Sequence, residues 1–212
     1  MTWLVFYPRT MWRVVVHPAA MTLYSEDKEL DEAAEAYTDR LSPLLLLMLT
    51  LLIAHGFELG LGLKMPAMES PIGAAIWGSA QNTLILRSVL FSVFPLVAAV
   101  TSLKRRRLPL DRLSLRRPFF SQCYLTAPFA LAISLASQVG RLAREGAKPA
   151  GEALAVLGIV WYLWVETAWF RRQLGAGRGR ALLVALGSTA LASFYCLAIG
   201  AVLIVLMGGL AH

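Results

Sequence analysis

The stretch KRRRLPLDRLSLRR, residues 104–117, decides the architecture of this chain. It holds seven of the 20 Lys and Arg residues against a single acid, Asp111, and it stands between two long apolar runs. A strongly basic segment beside a membrane span is retained on the cytoplasmic side during insertion. The stretch therefore predicts a membrane protein, and it fixes the direction in which every span crosses.

The composition supports a membrane class. Of 212 residues, 58% are hydrophobic and only 16% are charged, and the mean hydropathy is +0.62. Soluble domains carry about 25% charged residues. Several apolar runs reach the ~20 residues that a helix needs to cross the hydrocarbon core. The chain is long enough for one helical bundle and too short for a bundle with a second folded domain.

The apolar runs predict an all-α fold, a polytopic transmembrane bundle of about five spans. A cytoplasmic and interfacial segment, 1–41, precedes a transmembrane domain, 42–207. The predicted spans are 42–63, 83–103, 119–140, 152–170 and 181–207. Four spans with a re-entrant segment are the alternative, and residues 71–82 are open to interpretation as a re-entrant or a surface helix.

The distribution of basic residues predicts the orientation. With a cytoplasmic N-terminus and an outer C-terminus, 15 of the 20 Lys and Arg residues fall on the cytoplasmic side, as insertion favours. The predicted location is a cytoplasmic (inner) membrane of bacterial type. Basic residues beside a membrane attract anionic headgroups, so we expect lipid or partner contacts from Lys104, Arg105, Arg106, Arg107, Arg116 and Arg117.

The N-terminal segment divides into two parts. Residues 1–24 combine aromatic and basic side chains, which is typical of a segment in the headgroup region, with Pro8 and Pro18 bracketing a short helical piece. The alternative is an irregular arm packed under the bundle. Residues 25–40 carry seven acids and predict a short helix that begins at Ser25. This acidic helix either folds over residues 104–117 as an electrostatic lid or remains a separate solvated face.

Ionisable groups inside spans are costly and need partners. His55 and Glu58 are three residues apart on the first span, Arg87 lies near the start of the second span, and Gln138 lies near the end of the third. Their positions predict one polar layer in the outer half of the bilayer. It is either a proton- or ion-coupled transport site or a structural ion pair between helices. Glu166 lies near the inner end of its span, and we expect it to extend towards the interface.

The first span also contains Gly56 and Gly60, whose GxxxG spacing lets another helix approach closely. On a helical projection the two glycines point away from Glu58. Both faces of the first span therefore call for protein neighbours, and we expect this span to be central in the bundle.

Several functional classes lack their signatures. The sequence has no glycine-rich phosphate loop, no His or Cys spacing typical of a metal site, and no nucleophile motif. The basic residues are not accompanied by a nucleic-acid-binding motif. We predict a chain that is not an enzyme, with no cofactor, no metal and no nucleic-acid partner.

The order of these parts resembles a known family. The opening FYPRTMWRVVVHP (residues 6–18), the acidic stretch, and RLSP (residues 40–43) before the first of five spans resemble the Yip1-like membrane proteins. The chain is also similar to small bacterial proteins labelled permeases. The resemblance implies a non-enzymatic, membrane-organising or partner-binding role. The alternative is a permease or transport subunit that uses the layer of His55, Glu58 and Arg87. Expected partners are membrane lipids and either further copies of the chain or another membrane protein.

Overall fold

A computed structural model describes residues 3–28, 41–63 and 80–208, with side chains in 6–27, 41–63 and 81–202. These residues form seven α-helices and no strand. In chain order the helices are α1 (Trp3–Val16), α2 (Pro18–Lys28), α3 (Pro43–Gly60), α4 (Ala80–Arg105), α5 (Arg112–Gly140), α6 (Ala147–Leu174) and α7 (Arg178–Gly208).

Helices α3 to α7 are each long and apolar enough to cross a membrane, so the predicted all-helical bundle of five spans is confirmed. Most of the helices run past the predicted span ends. The clearest case is α5, which begins at Arg112 rather than at 119 because Asp111 caps it: the Ser114 N–H donates to Asp111 Oδ1 at 2.7 Å. That hydrogen bond holds the pKa of Asp111 below its usual value. The basic stretch is therefore partly helical, and only residues 106–111 connect α4 to α5.

Helix α5, not α3, is the centre of the bundle. It packs against α1, α2, α3, α4 and α6, and it is the most buried of the five spans. The prediction of a central first span was wrong, because α3 buries only the face that carries Glu58. Gly56 and Gly60 are exposed, and no described atom lies within 4 Å of a Cβ built on either one. A partner helix on that glycine face stays a prediction.

Helices α5 and α6 approach each other closely at two glycines of α6. A Cβ on Gly151 would lie 2.6 Å from the Ala136 carbonyl oxygen and 2.8 Å from the Gly140 nitrogen. Two helical turns further along α6, a Cβ on Gly158 would lie 2.8 Å from the Cβ of Ala132. The small residues of α5 recur every four positions, which is the spacing that lets membrane helices pack backbone against backbone.

The N-terminal segment is helical and packs on the bundle. Pro8 lies inside α1 instead of starting a helix, and α2 begins at Pro18 and continues through Ser25. The predicted helix start at Ser25 was wrong, because Pro18 suits a first helical position and Ser25 is buried. Met11, Val14 and Met21 are buried with residues of α3 and α5.

The described part of the N-terminal segment thus joins the hydrophobic core rather than forming an irregular arm. The Tyr7 hydroxyl donates to Thr50 Oγ1 on α3 at 3.2 Å, and burial raises the pKa of Tyr7 above its usual value. Trp12 remains 68% exposed. Residues 29–40, which carry most of the predicted acidic helix, lie outside the described residues.

Candidate functional site

The basic residues collect at one end of the bundle. The end of α4 and the end of α6 meet there, where Arg106 Nη1 donates to Gln173 Oε1 at 3.0 Å. The start of α5 lies beside them, since Arg116 and Arg117 line the same cleft as Arg106 and Gln173. Helix α2 joins them through Arg172, whose Nη2 donates to Thr22 Oγ1 at 2.9 Å and to Glu26 Oε1 at 3.3 Å. We call this region, with its connecting residues 106–111, the basic end.

The turn that closes α4 has an unusual residue. Arg107 has a φ of 57°, and it is the only non-glycine residue with positive φ in the described part of the chain. The Leu108 N–H donates to the Leu103 carbonyl at 3.0 Å and the Arg107 N–H to the Lys104 carbonyl at 3.2 Å. This pattern is a Schellman turn, in which glycine is the unstrained choice. A guanidinium group is thus present where glycine would fit more easily.

A cleft of about 570 Å³ opens at the basic end. Its cationic lining consists of Arg106, Arg116 and Arg117, and its apolar lining includes Leu103, Leu108, Leu113 and Pro118. Glu26, Ser114 and Gln173 complete the wall. We call this the basic cleft. Of the six residues predicted to contact lipid headgroups or a partner, three line the cleft, and Lys104, Arg105 and Arg107 are exposed beside it.

The acidic residue described nearest to the basic cleft is Glu26. It accepts from Gln173 Nε2 at 2.7 Å and pairs with Arg172, both on α6. Its contacts therefore join α2 to α6 rather than to residues 104–117. Asp27 is exposed, and the remaining five acids of the predicted lid follow residue 28, outside the described residues. The lid therefore stays a prediction.

The structure brings the predicted polar layer together at the opposite end of the bundle. Arg87 Nη1 lies 2.5 Å from Glu58 Oε2, and Arg141 Nη2 donates to Glu58 Oε1. Glu58 is only 1% exposed, whereas both guanidinium groups are partly exposed. His55 Nδ1 is 3.8 Å from Glu58 Oε2, too far for a hydrogen bond. The layer is an Arg–Glu–Arg triad that ties α3, α4 and α5 together.

Gln138 lies in this layer, but its amide bonds the backbone of α3 and not the Glu58 carboxylate. Its Nε2 donates to the backbone carbonyl of Ala54 on α3 at 2.7 Å. The sequence prediction omitted Arg141, although a signal for it was present. Gln138 and Arg141 are three residues apart, so a helix that continues past 140 by one residue places both on the same face.

The charges in this layer indicate whether it can bind a proton or serves to hold the helices together. Two guanidinium groups surround one carboxylate, so the group beside His55 is already neutralised. His55 is 4% exposed, and neither ring nitrogen has a hydrogen-bond partner among the described residues. This arrangement suits an ion-paired lock between helices.

The position of the Glu166 side chain differs from the one predicted from the sequence. It is 1% exposed and does not extend to the interface. The Tyr162 hydroxyl donates to its Oε1 at 2.8 Å, and Gln122 Nε2 on α5 donates to its Oε2 at 3.3 Å. Sequence reasoning missed this contact because it treated Glu166 as belonging to α6 alone, where Arg171 and Arg172 are the nearest charges.

Five apolar helices, an ion-paired layer near one end and a basic cleft at the other define a multi-pass integral membrane protein. Comparison with known proteins finds no matching family model, no matching curated protein and no matching solved structure. The functional argument therefore rests on the chemistry of the chain itself.

Proposed function

We propose that this chain is a non-enzymatic membrane protein that binds anionic lipid headgroups in the basic cleft and thereby organises lipids or partner proteins. The observation that carries the proposal is the lining of the cleft, in which three arginines face an apolar wall. A lipid presents the matching pair of surfaces, a phosphate group and a glycerol with its acyl chains. Arginine binds phosphate oxygens in a bidentate manner.

The position and size of the cleft favour a lipid over a free anion. Two of its apolar residues, Leu103 and Pro118, belong to the membrane-spanning helices α4 and α5. An acyl chain can therefore continue from the cleft along the outside of the bundle. The volume, about 570 Å³, lies within the usual range for small-molecule sites.

The orientation is part of the same proposal. The cytoplasmic leaflet is the anionic one, and the positive-inside rule assigns the basic end to that side. The Yip1-like resemblance agrees with a membrane-organising role and rests on the order of the segments. In this arrangement the N-terminus and the basic cleft face the cytoplasm, and the Glu58 layer lies towards the outer surface.

The alternative, a permease that uses His55, Glu58 and Arg87, has less support from the geometry. A coupling site has to exchange a proton or ion with water during transport. Both oxygens of Glu58 instead face guanidinium groups, and the carboxylate is almost fully buried. These contacts favour a structural role for the layer.

The test compares two triple variants that remove the same charge from the same end of the protein. Arg106→Gln, Arg116→Gln and Arg117→Gln together empty the basic cleft of cations. A hydrogen bond to a charged group contributes about 1.5 kcal/mol or more, so we expect the cleft variant to raise the Kd for phosphatidylglycerol at least about 100-fold. The Kd is measured by native mass spectrometry of the full chain released from detergent micelles.

The control variant is Arg171→Gln, Arg178→Gln and Arg180→Gln, three exposed residues outside the cleft lining. We expect it to change the Kd by no more than a few-fold. Equal losses of affinity in the two variants would show that only net surface charge matters, and would contradict lipid binding in the basic cleft. Binding of phosphatidylcholine as tight as phosphatidylglycerol would also contradict the proposal, and competition by inorganic phosphate at equal concentration would point to a free anion.

A further inference from the structure

Glu166 is a carboxyl group in the interior of a membrane helix with neutral partners. Of the described residues, only Tyr162 and Gln122 hydrogen-bond to it, and no Lys, Arg or His is within ion-pair distance among them. The contrast with Glu58 is direct, since that equally buried carboxylate has two guanidinium groups. A buried carboxylate without a cation is far more costly than a neutral carboxylic acid.

The neighbouring side chains leave one acceptor unused. Gln122 is fully buried, and its Oε1 has no hydrogen-bond partner in the described part of the structure. Its amide nitrogen, on the same group, is the atom that contacts Glu166 at 3.3 Å. A half-turn of the amide exchanges the two atoms and places Oε1 against Glu166 Oε2. The amide then accepts a hydrogen bond that only a protonated carboxyl can donate.

We propose that Glu166, Tyr162 and Gln122 form a proton-binding site between α5 and α6. One proton adds to Oε2 of Glu166, the resulting O–H donates to Gln122 Oε1, and the Tyr162 hydroxyl continues to donate to Oε1 of Glu166. No other bond changes. Release of the proton reverses the amide and restores the donation from Gln122 Nε2. The site links protonation to the packing of α5 against α6, independently of lipid binding in the basic cleft.

The side chains around this site are mostly apolar, and few titratable groups lie near it on the neighbouring helices. On α6 the titratable neighbour is Tyr162, and on α5 it is Cys123, close to that tyrosine. The contacting surfaces of α4 and α7 are apolar and include Phe94, Val97, Val184 and Ala185. The charged residues of those two helices lie towards the helix ends; they are Arg87, Lys104, Arg105, Arg178 and Arg180. Between the α1–α2 segment and α6 lies a separate cavity of about 380 Å³, lined by His17 from that segment and by Trp169 and Arg172 of α6.

Infrared spectroscopy of the full chain in lipid nanodiscs tests the site through the C=O stretch of carboxylic acids. We expect a carboxylic acid band at pH 7 in the wild type that is absent from Glu166→Gln. Glutamine has nearly the shape of protonated glutamic acid, so this variant should keep the fold. The matched control is Glu152→Gln, an exposed residue near the start of the same helix, which should leave the band unchanged. An identical band in the wild type and Glu166→Gln would overturn the proposal.

A second variant keeps the carboxyl and changes its hydrogen bond. Tyr162→Phe removes the hydroxyl that donates to Oε1 at 2.8 Å. We expect the acid band to move to higher frequency, because a carbonyl that loses a donor has a stiffer C=O bond. A band at the same frequency in this variant would assign the signal to a different carboxyl and contradict the site, even if Glu166→Gln did not fold.

Discussion

Glu58→Gln is expected to lower the free energy of unfolding by about 3–5 kcal/mol, which is the cost of breaking a buried ion pair by removing one partner. The variant keeps the shape of the side chain and removes its charge. Arg87 and Arg141 then face each other across a neutral amide with no carboxylate between them. Their partial exposure lets water relieve some of the repulsion, so we expect the lower half of this range.

Reversible unfolding in mixed micelles, followed by far-UV circular dichroism, measures this effect. Glu152→Gln, an exposed glutamate on α6, is the matched control and should change the free energy by less than about 0.5 kcal/mol. A loss below about 1 kcal/mol in Glu58→Gln would show that the triad does not hold the three helices together. In proteoliposomes, proton flux that disappears in this variant would instead favour the transport interpretation.

Replacement of the whole triad distinguishes an interaction from a charge penalty. We expect the combination of Glu58→Leu, Arg87→Met and Arg141→Met to recover most of the stability lost in Glu58→Gln, because no unpaired charge remains. A triple variant as unstable as the single one would mean that the side chains contribute through shape rather than charge.

The pairing in this layer was accessible from the sequence because depth in a membrane follows from chain direction. The first and second spans run in opposite directions, so Glu58 near the end of one and Arg87 near the start of the next lie at similar depth. The sequence did not show how far each helix extends beyond its apolar run. Arg141 looked like a loop residue, yet it lies at the C-cap of α5, where it reaches Glu58.

Glu166 shows a second limit of sequence reasoning. It lies eight residues before the end of α6 at Leu174, which is about 12 Å at 1.5 Å per residue. Whether such a side chain reaches the interface or turns inward depends on the facing helix. Here Gln122 on α5 offers a hydrogen bond, and the rotational position that creates this contact has no signature in the sequence of α6.

The glycines that form the α5–α6 contact were not identified from the sequence, for a similar reason. Gly56 and Gly60 have the familiar GxxxG spacing but face away from the described chain. Gly151 and Gly158 are seven residues apart, which is two helical turns, and of the described glycines they are the two at which a Cβ would meet another helix. Spacing alone identifies a face that permits close approach, and only the arrangement of the other helices decides which face is used.

The close contact between Gly151 and α5 predicts a second large loss of stability. Gly151→Ala is expected to destabilise the protein by about 3 kcal/mol, at the upper end of the range for overpacking. Its new Cβ would meet backbone atoms of Ala136 and Gly140 within 3 Å. Backbone cannot rotate aside as a flexible side chain can, so α6 has to move away from α5. Gly187→Ala on α7 is the control, since nothing lies within 4 Å of a Cβ there, and it should be neutral or slightly stabilising.

Gly158→Ala provides a graded comparison, because its single close neighbour is the side chain of Ala132 at 2.8 Å. We expect a loss of about 1–3 kcal/mol, and we expect Ala132→Gly added to Gly158→Ala to return part of it by moving the methyl group to the other helix. Gly151→Ala has no such rescue, since the atoms it meets are present in every residue. Equal stability of Gly151→Ala and Gly187→Ala would contradict close packing of α5 on α6, and with it the rigid frame that holds Gln122 against Glu166.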